Sequence, residues 1–499
     1  MSPLSARLIV VSNRLPLALK REDGKWRFEA GSGGLVTAMG PVLKNRGGIW
    51  IGWPGNREPI ELPLLRQILG PVSEESGYRL LPVILDEGEV ENYYEGFANA
   101  AIWPLFHDLQ TECLFHPRHW EAYGKVNGRF ARVAARHSDR EDLIWVHDYH
   151  LMHLALKLKE RAVERRTAFF LHIPFPPPDI FLKLPWRYEV MEGLTAYDFV
   201  AFQTMRDRQN FQACLRAFWP SSRVRGRGPV VTVGRDEGDI VVGALPISID
   251  FAHFEALARS PKAVQTCEEL RKAHRGRKIF LGVDRLDYTK GILQRLEAYG
   301  RLLEGQETLR ESVVFIQILV PSREGVEAYS RLRDEIERAV SRINGRYATT
   351  GWTPLSFFFR SLPSDELAGF YRAADVAVVT PLRDGMNLVA KEYCACNTDG
   401  DGVLVLSEFA GAAGQLAKGA LLVNPHDVEG LARTLVAACD MAREEREKRM
   451  IRLRRAVRRQ DIFWWVDNFL RAAAGRALRD FPPDDLAPLL PRPRERPLA

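Results

Sequence analysis

The sequence predicts an α/β protein made of two doubly wound domains, each built on a mostly parallel sheet. Short apolar runs alternate with amphipathic stretches along most of the chain, as strand–helix–strand units with right-handed crossovers require. About a dozen such runs are more than one sheet comfortably holds. Around Leu245-Pro246-Ile247-Ser248-Ile249-Asp250 an apolar run stops at a proline and a charged helical stretch, Phe254–His274, follows. That is where one core would end and the next begin.

In chain order, buried strands are expected at Leu8–Ser12, Gly48–Gly52, Arg79–Leu85, Leu143–His147, Ala168–His172, Phe199–Phe202 and Ile240–Ala244, then at Lys278–Val283, Val313–Leu319, Val376–Thr380, Val403–Leu406 and Ala420–Val423. Each is a short run of apolar residues bounded by glycine, proline or polar residues. Between them, helical periodicity is strong over Leu151–Arg165, Gly325–Asn344, Ser364–Ala373 and Val428–Arg459. The expected domains are 1–246 and 247–457. An aromatic-rich helix in 458–479 (Phe463, Trp464, Trp465, Phe469, Leu470) would pack back on the first domain. Residues 480–499 hold six prolines and no apolar periodicity, the composition of a tail.

The 499 residues are 46% hydrophobic and 27% charged, which excludes a disordered or low-complexity chain. A net charge of +6 is mild over this length and gives no case for nucleic acid, though it suits a locally basic cleft for a phosphorylated ligand. Cys113, Cys214, Cys267, Cys394, Cys396 and Cys439 form neither a disulfide framework nor a four-ligand zinc pattern, so reduced thiols in a cytoplasm are expected. No run reaches the ~18 apolar residues of a membrane span, and the apolar Leu8–Val11 is too short for a secretory signal.

Ligands of open α/β sheets bind beyond the carboxyl ends of the strands, so the residues that follow each strand are the functional candidates. After the first come Ser12-Asn13-Arg14 and a loop ending Gly31-Ser32-Gly33-Gly34-Leu35. Glycines ahead of a helix admit an anion, but neither a P-loop nor a complete G-x-G-x-x-G is present. His147, His150 and His153 share i, i+3 spacing without a carboxylate or thiol to complete a zinc site, and Asp148 is the better candidate, as a hydroxyl-orienting group. His172 sits at a strand end, held by Pro174, Pro176, Pro177 and Pro178; a structural role and a functional one are both open to it. Arg285 and Lys290 in Asp284-Arg285-Leu286-Asp287-Tyr288-Thr289-Lys290-Gly291 suit a diphosphate, Arg by bidentate contact and Lys as a point charge. Arg323 follows its strand in the same manner. In Thr380–Glu392, Asp384 and Glu392 can accept hydrogen bonds from sugar or ribose hydroxyls. Cations for phosphates beside carboxylates for hydroxyls are what a nucleotide sugar needs. Asp399-Gly400-Asp401-Gly402 has the look of a D-x-D metal motif, but it follows a helix among glycines and reads as a turn.

These motifs resemble the trehalose-6-phosphate synthase family over roughly Leu8 to Leu470. The resemblance is carried by V-V-S-N-R ending at Arg14, G-G-L at Gly33–Leu35, N-Y-Y-E-G-F-A-N-A-A-I-W-P-L-F-H at Asn92–His107, W-V-H-D-Y-H-L at Trp145–Leu151 and L-H-I-P-F-P at Leu171–Pro176. The second half adds D-R-L-D-Y-T-K-G, R-I-N-G-R-Y at Arg342–Tyr347, G-W-T-P-L and T-P-L-R-D-G-M-N-L-V-A-K-E-Y. The resemblance implies a GT-B fold, two Rossmann-like doubly wound domains facing a central cleft. It also implies a retaining glycosyltransferase that moves glucose from a nucleotide sugar, UDP-glucose by expectation, to glucose 6-phosphate, giving α,α-trehalose 6-phosphate. By position it implies that Arg14, Tyr94, Asp148 and Arg323 bind the acceptor, with the two arginines on its phosphate. Gly33 and Gly34 would touch the donor, and Arg285 and Lys290 would clamp its diphosphate. Asp384 would bind the transferred glucose and Glu392 the ribose, with Leu388, Val389, Ala390 and Lys391 also binding the donor. Trp103 and His172 would shape the pocket at the anomeric centre. Arg285, Lys290, His172 and Asp384 make up the implied catalytic set. Leu362 stands where the family's backbone meets the base, with a side chain unlike the family's aromatic, which leaves uridine, guanosine and adenosine open. The insert Ala18–Ala30 and the tail also depart from the shortest members.

No cofactor, metal, nucleic acid or membrane is expected, and a homo-oligomer stays open. A synthase using glycerol 3-phosphate, a pseudo-glycosyltransferase joining cyclitols and a catalytically silent sugar-phosphate sensor are the rivals.

Overall fold

The structure is a computed structural model that describes residues 7–22, 25–30, 34–322, 327–479 and 481. These fall into two compact units, the described parts of Met1–Asp250 with Gln460–Asp480, and of Phe251–Arg459 with Phe481–Ala499.

In chain order the first unit has strands β1 (Leu8–Arg14), β2 (Leu17–Glu22), β3 (Lys25–Ala30), β4 (Ile49–Trp53), β5 (Arg79–Pro82), β6 (Leu143–His147), β7 (Arg166–Phe170), β8 (Phe199–Phe202), β9 (Arg223–Arg225), β10 (Val230–Gly234) and β11 (Ile240–Ala244). Nine form one sheet in the order β5-β4-β1-β6-β7-β8-β11-β10-β9, all running one way except β10, which pairs antiparallel with both β11 and β9. Leaving out the hairpin β2–β3, its first six strands run 3-2-1-4-5-6, the doubly wound order. β1 and β6 are buried on both faces, which is why they read as unbroken apolar runs.

The second unit has β12 (Lys278–Arg285), β13 (Val313–Val320), β14 (Leu355–Phe359), β15 (Val376–Val379), β16 (Val403–Ser407) and β17 (Leu421–Val423). Their order, β14-β13-β12-β15-β16-β17, repeats the same 3-2-1-4-5-6 pattern, all parallel. Phe280, Phe315, Val376, Val378, Val403 and Val405 are buried in one core with Leu296 and Tyr299 from the β12–β13 crossover helix and Leu431 and Leu435 from the helix after β17.

Several expected elements are corrected. The helix Leu151–Arg165 shrinks to a 3-10 turn at Tyr149–Leu151 and a helix at Leu154–Lys159, because Ala162 takes φ +54° and turns the chain into β7. The stretch Phe254–His274 is two helices, Phe251–Leu257 and Pro261–Ala273, the second begun by Pro261 and capped by Ser260, whose hydroxyl accepts from the Ala263 N–H at 3.3 Å. Val428–Arg459 breaks at the extended Met441 into Val428–Asp440 and Arg443–Arg459; the first half packs on the helix Ile292–Gly305 and the second on Leu388–Cys396. The insert Ala18–Ala30 is the hairpin β2–β3, with Leu17 opposite Ala30 and Arg21 opposite Trp26. Strands β9, β10 and β14 were not anticipated. No helix among the described residues is long and apolar enough to cross a membrane. Of the proline-rich tail only Phe481 lies within the described residues.

The family-like segment Asn92–His107 is wound mostly as a π-helix, Val90–Ile102, followed by Trp103–Phe106. Tyr93 is buried and its hydroxyl donates to Asn13 Oδ1 at 2.9 Å, while Tyr94 meets Trp53 edge-on.

The aromatic helix Ile462–Ala473 belongs to the first unit. Phe469 stacks on Trp145 with centroids 3.9 Å apart, and Trp465 packs against Trp145 and Phe170 while its indole N–H donates to Leu245 O at 3.0 Å. Phe463, 41% exposed, lies outside this cluster. Trp465→Ala should therefore cost ~3–5 kcal/mol in urea unfolding, the range for deleting a large buried aromatic. Phe463→Ala should stay within ~0.5 kcal/mol of the parent. Equal losses for both would show that the helix does not hold to the sheet through Trp465.

Candidate functional site

In each sheet the strand order reverses beside its first strand, between β1 and β6 in one unit and between β12 and β15 in the other. Ligand crevices open at such points, beyond the strands' carboxyl ends. Of the expected site residues, Arg14, Asp148, Arg285, Lys290 and Asp384 lie on or just after β1, β6, β12 and β15.

In the first unit Arg14 is the last residue of β1. Its guanidinium lies 4.1 Å from the Trp53 ring centroid and 5.3 Å from that of Tyr94. Such faces hold a guanidinium in place without neutralising it. Gly55, at φ +86°, makes the room: a Cβ there would stand 2.0 Å from Arg14 Nη1. Tyr94 in turn stacks on His150, 5.8 Å between centroids. Asp148 follows β6 directly with φ +75°, a strained conformation for a non-glycine residue. It is held by its N–H to Phe170 O at 2.8 Å, and its Oδ1 accepts the His172 N–H at 3.2 Å. His172 Nε2 lies 3.1 Å from His147 Nδ1. Burial pushes both imidazoles below their usual pKa, so both are neutral near pH 7. Trp103 packs on His107 and Tyr149.

The three evenly spaced histidines go separate ways. His147 meets His172, His150 meets Tyr94 and Tyr149, and His153 sits edge-on to Trp120. Gly34 opens the helix Gly34–Arg46. Gly33 and Arg323 lie outside the described residues.

In the second unit Arg285 ends β12 and is exposed, with no ion-pair partner among the described residues. Lys290 is 8% exposed and donates to Asp384 Oδ2 at 2.7 Å; Asn387 Nδ2 donates to the same oxygen at 3.3 Å. The expected diphosphate lysine and the expected sugar-binding carboxylate are thus one ion pair. Gly291 keeps the lysine loop close to β15: it takes φ +60°, and a Cβ would stand 2.1 Å from Thr380 O. Asn387, also left-handed at φ 75°, starts the helix Leu388–Cys396 and accepts the Ala390 N–H at 3.2 Å. The N–H groups of Leu388 and Val389 at this helix start have no intrahelical acceptor, which favours an anion. Lys391, 1% exposed, donates to Gln415 Oε1 at 2.6 Å. Glu392 accepts the Tyr371 hydroxyl at 2.9 Å, and burial raises its carboxyl pKa. Leu362 is half-buried in the loop before Pro363. Asp399 and Asp401 sit in a turn, paired with Arg372 and Arg446.

Sequence reasoning missed the group beneath this site. Arg295 is fully buried; its Nη1 donates to Asp284 Oδ2 at 2.6 Å and to Gln317 Oε1 at 3.0 Å, its Nε to Thr380 Oγ1 at 2.9 Å and its Nη2 to Lys290 O at 3.4 Å. The one signal was an arginine on the apolar face of an amphipathic helix. Trp53, Tyr93, His147 and Tyr371 were also missed as supports, since each acts through a neighbour far away in sequence.

The profile of glycosyltransferase family 20 matches residues 6–474. A trehalose-6-phosphate synthase of Mycobacterium sp. (strain JLS) is 44% identical over 474 residues, covering 93% of this chain and 96% of that one. The Mycobacterium tuberculosis (strain CDC 1551 / Oshkosh) trehalose-6-phosphate synthase is 43% identical over 476 residues, 94% of each chain. Among solved structures, a UDP-forming α,α-trehalose-phosphate synthase from Burkholderia xenovorans in complex with glucose-6-phosphate aligns with TM-score 0.84 and 34% identity, covering 94% of this chain and all (100%) of that chain. An E. coli chain bound with UDP-2-fluoro glucose aligns with TM-score 0.83 and 34% identity, over 95% of this chain and 100% of that one. With two Rossmann-like domains of the GT-B class and a family profile matched along nearly its whole length, the chain belongs to glycosyltransferase family 20.

Proposed function

We propose that the protein transfers glucose, with retention, from UDP-glucose to glucose 6-phosphate, forming α,α-trehalose 6-phosphate and UDP. The observation that carries this is the match to synthases of that product at 44% identity over 93% of the chain. The geometry at the two strand-order reversals agrees with it. In our reading the first unit takes the acceptor through Arg14, Tyr94 and Asp148; Arg323, outside the described residues, is the second arginine that the family resemblance assigns to the acceptor phosphate. The second unit takes the donor through Arg285, Lys290, Asp384, the helix start at Leu388–Ala390 and Glu392.

The bond between the anomeric carbon and the diphosphate oxygen breaks as negative charge grows on that oxygen. Arg285 and Lys290 stabilise this charge, the main electrostatic contribution to catalysis. The acceptor hydroxyl attacks from the face the diphosphate leaves, and its proton passes to a departing phosphate oxygen. Configuration is thereby kept without a covalent enzyme intermediate. Asp384, fixed by Lys290 and Asn387, holds hydroxyls of the transferred sugar, and Glu392, fixed by Tyr371, those of the ribose.

The direct test offers the pure protein UDP-, GDP- and ADP-glucose with glucose 6-phosphate, glycerol 3-phosphate or glucose, and identifies products by mass and NMR. Trehalose 6-phosphate is the expected product. Transfer to glycerol 3-phosphate alone, or none at all, would favour a rival.

Arg14→Ala should lower kcat/KM for glucose 6-phosphate by about one to two decades, the worth of a charge-assisted hydrogen bond to phosphate. The already poor use of free glucose should hardly change, and Arg323→Ala should behave alike. Equal slowing of both acceptors would mean that these arginines do not read the phosphate. Lys290→Ala should cost about two to three decades in kcat, as loss of an oxyanion-stabilising group does. Since cations of the chain meet the diphosphate, turnover should survive EDTA; a loss above about tenfold restored by Mg²⁺ or Mn²⁺ would overturn the clamp.

A further inference from the structure

We propose that His147 is a positioning residue that fixes which nitrogen of His172 carries the proton, and so makes His172 a hydrogen-bond donor toward the reacting sugar rather than a base. The inference rests on the functional reading above for what His172 faces. His147 Nδ1 and His172 Nε2 are 3.1 Å apart, so one proton lies between them. Two arrangements of two neutral rings are possible. In one, His147 Nδ1–H donates to His172 Nε2, leaving His147 Nε2 bare and His172 Nδ1 protonated. In the other, His172 Nε2–H donates, leaving His147 with a proton on Nε2 and His172 Nδ1 bare.

The surroundings of His147 choose the first. Its side chain is fully buried, with Trp145 4.7 Å and Trp465 6.5 Å away between ring centroids, and no protein acceptor meets Nε2 among the described residues. The Trp145 indole N–H, two residues back on the same face of β6, also has no protein acceptor. An indole nitrogen only donates. A proton on His147 Nε2 would bury a second donor without an acceptor beside the Trp145 ring, whereas a bare Nε2 leaves only a lone pair unmet there. Unmet buried donors are the costlier case. Burial keeps both rings neutral, as this pairing needs. His172 is half-buried, and no hydrogen bond from a described residue occupies its Nδ1. That nitrogen then carries an N–H for a sugar oxygen. It cannot take the acceptor's proton, which is left to the departing phosphate.

The test is ¹⁵N NMR of the full chain labelled in histidine, with the His172 signals assigned by their loss in His172→Gln. The expected spectrum has a protonated Nδ1 and a bare Nε2 on His172; the reverse would overturn the proposal. Kinetics supply a second arm. His147→Leu removes the donor while keeping an apolar filling, and should lower kcat about tenfold, the size of one hydrogen bond, with KM for both substrates within about twofold. His147→Asn, whose amide can donate from the position of Nδ1, should recover most of that loss. An unchanged kcat in His147→Leu, or no recovery in His147→Asn, would count against positioning. A parent protein without transferase activity would sink the functional reading, while the NMR arm would still decide the proton's place.

Discussion

The second unit's site depends on a single buried guanidinium. Arg295 joins the ends of β12, β13 and β15 through Asp284, Gln317 and Thr380, and reaches the carbonyl of Lys290. The backbone ladder already registers these three parallel strands, and Arg295 adds a side-chain tie across them at their carboxyl ends. A fully desolvated pair of this kind is weak evidence of net stability, because removing two ions from water offsets most of their attraction. Its effect is geometric. Losing one partner leaves a buried charge unmet, at ~3–5 kcal/mol, so the strand ends and the lysine loop are held in one arrangement. Gly282 shows how closely this is built: a Cβ there would stand 2.4 Å from Arg295 Nη1.

The first unit solves the same problem with backbone and aromatic rings. The strained Asp148 is locked by Phe170 O and by the N–H of His172, which ties the ends of β6 and β7 together. Asn13, one residue before Arg14, is fixed by Tyr93 from the π-helix. From that helix Tyr93 points at β1 while its neighbour Tyr94 sits against Trp53 and the Arg14 guanidinium. Below both lies the aromatic layer of Trp145, Phe170, Trp465 and Phe469, so the C-terminal helix braces the strands that carry the site.

What was legible in the sequence follows from this construction. Strands buried on both faces, such as Leu143–His147 and Phe199–Phe202, showed at their true bounds because nothing polar interrupts them. Residues at their carboxyl ends, Arg14, Asp148 and Arg285, could be singled out once the class of sheet was known. The hairpin β2–β3 stayed hidden because Lys20, Arg21 and Glu22 break the alternation begun by Leu17 and Leu19. The π-helix stayed hidden because its period is not one that sequence patterns are tested against. Arg295 stayed hidden, and His147 showed only as one of three evenly spaced histidines, for a different reason: on a helix or strand an inward polar residue looks like a break in the apolar face until its partners, here 5 to 85 positions away for Arg295, are in place. The motifs named the groups that would touch substrate; the supports beneath them became visible only in three dimensions.

The pairing of Lys290 with Asp384 bears on how such a site works. With Asp384 against it at 2.7 Å, the lysine's charge is largely balanced before any ligand arrives. That keeps a nearly buried ammonium affordable and fixes its side chain, so less rotamer freedom is lost when a diphosphate binds. It also means that the carboxylate proposed to hold the sugar and the ammonium proposed to hold the leaving group share one geometry. In the proposed reaction, negative charge growing on a diphosphate beside Lys290 would give the lysine a second anion besides Asp384. A cation poised between two anions gains attraction as one of them strengthens, without having to move. Arg285, exposed and unpaired among the described residues, supplies the charge that Asp384 does not cancel. In the proposed reaction the labour would divide between a preset lysine whose worth rises in the transition state and an exposed arginine that draws the diphosphate in.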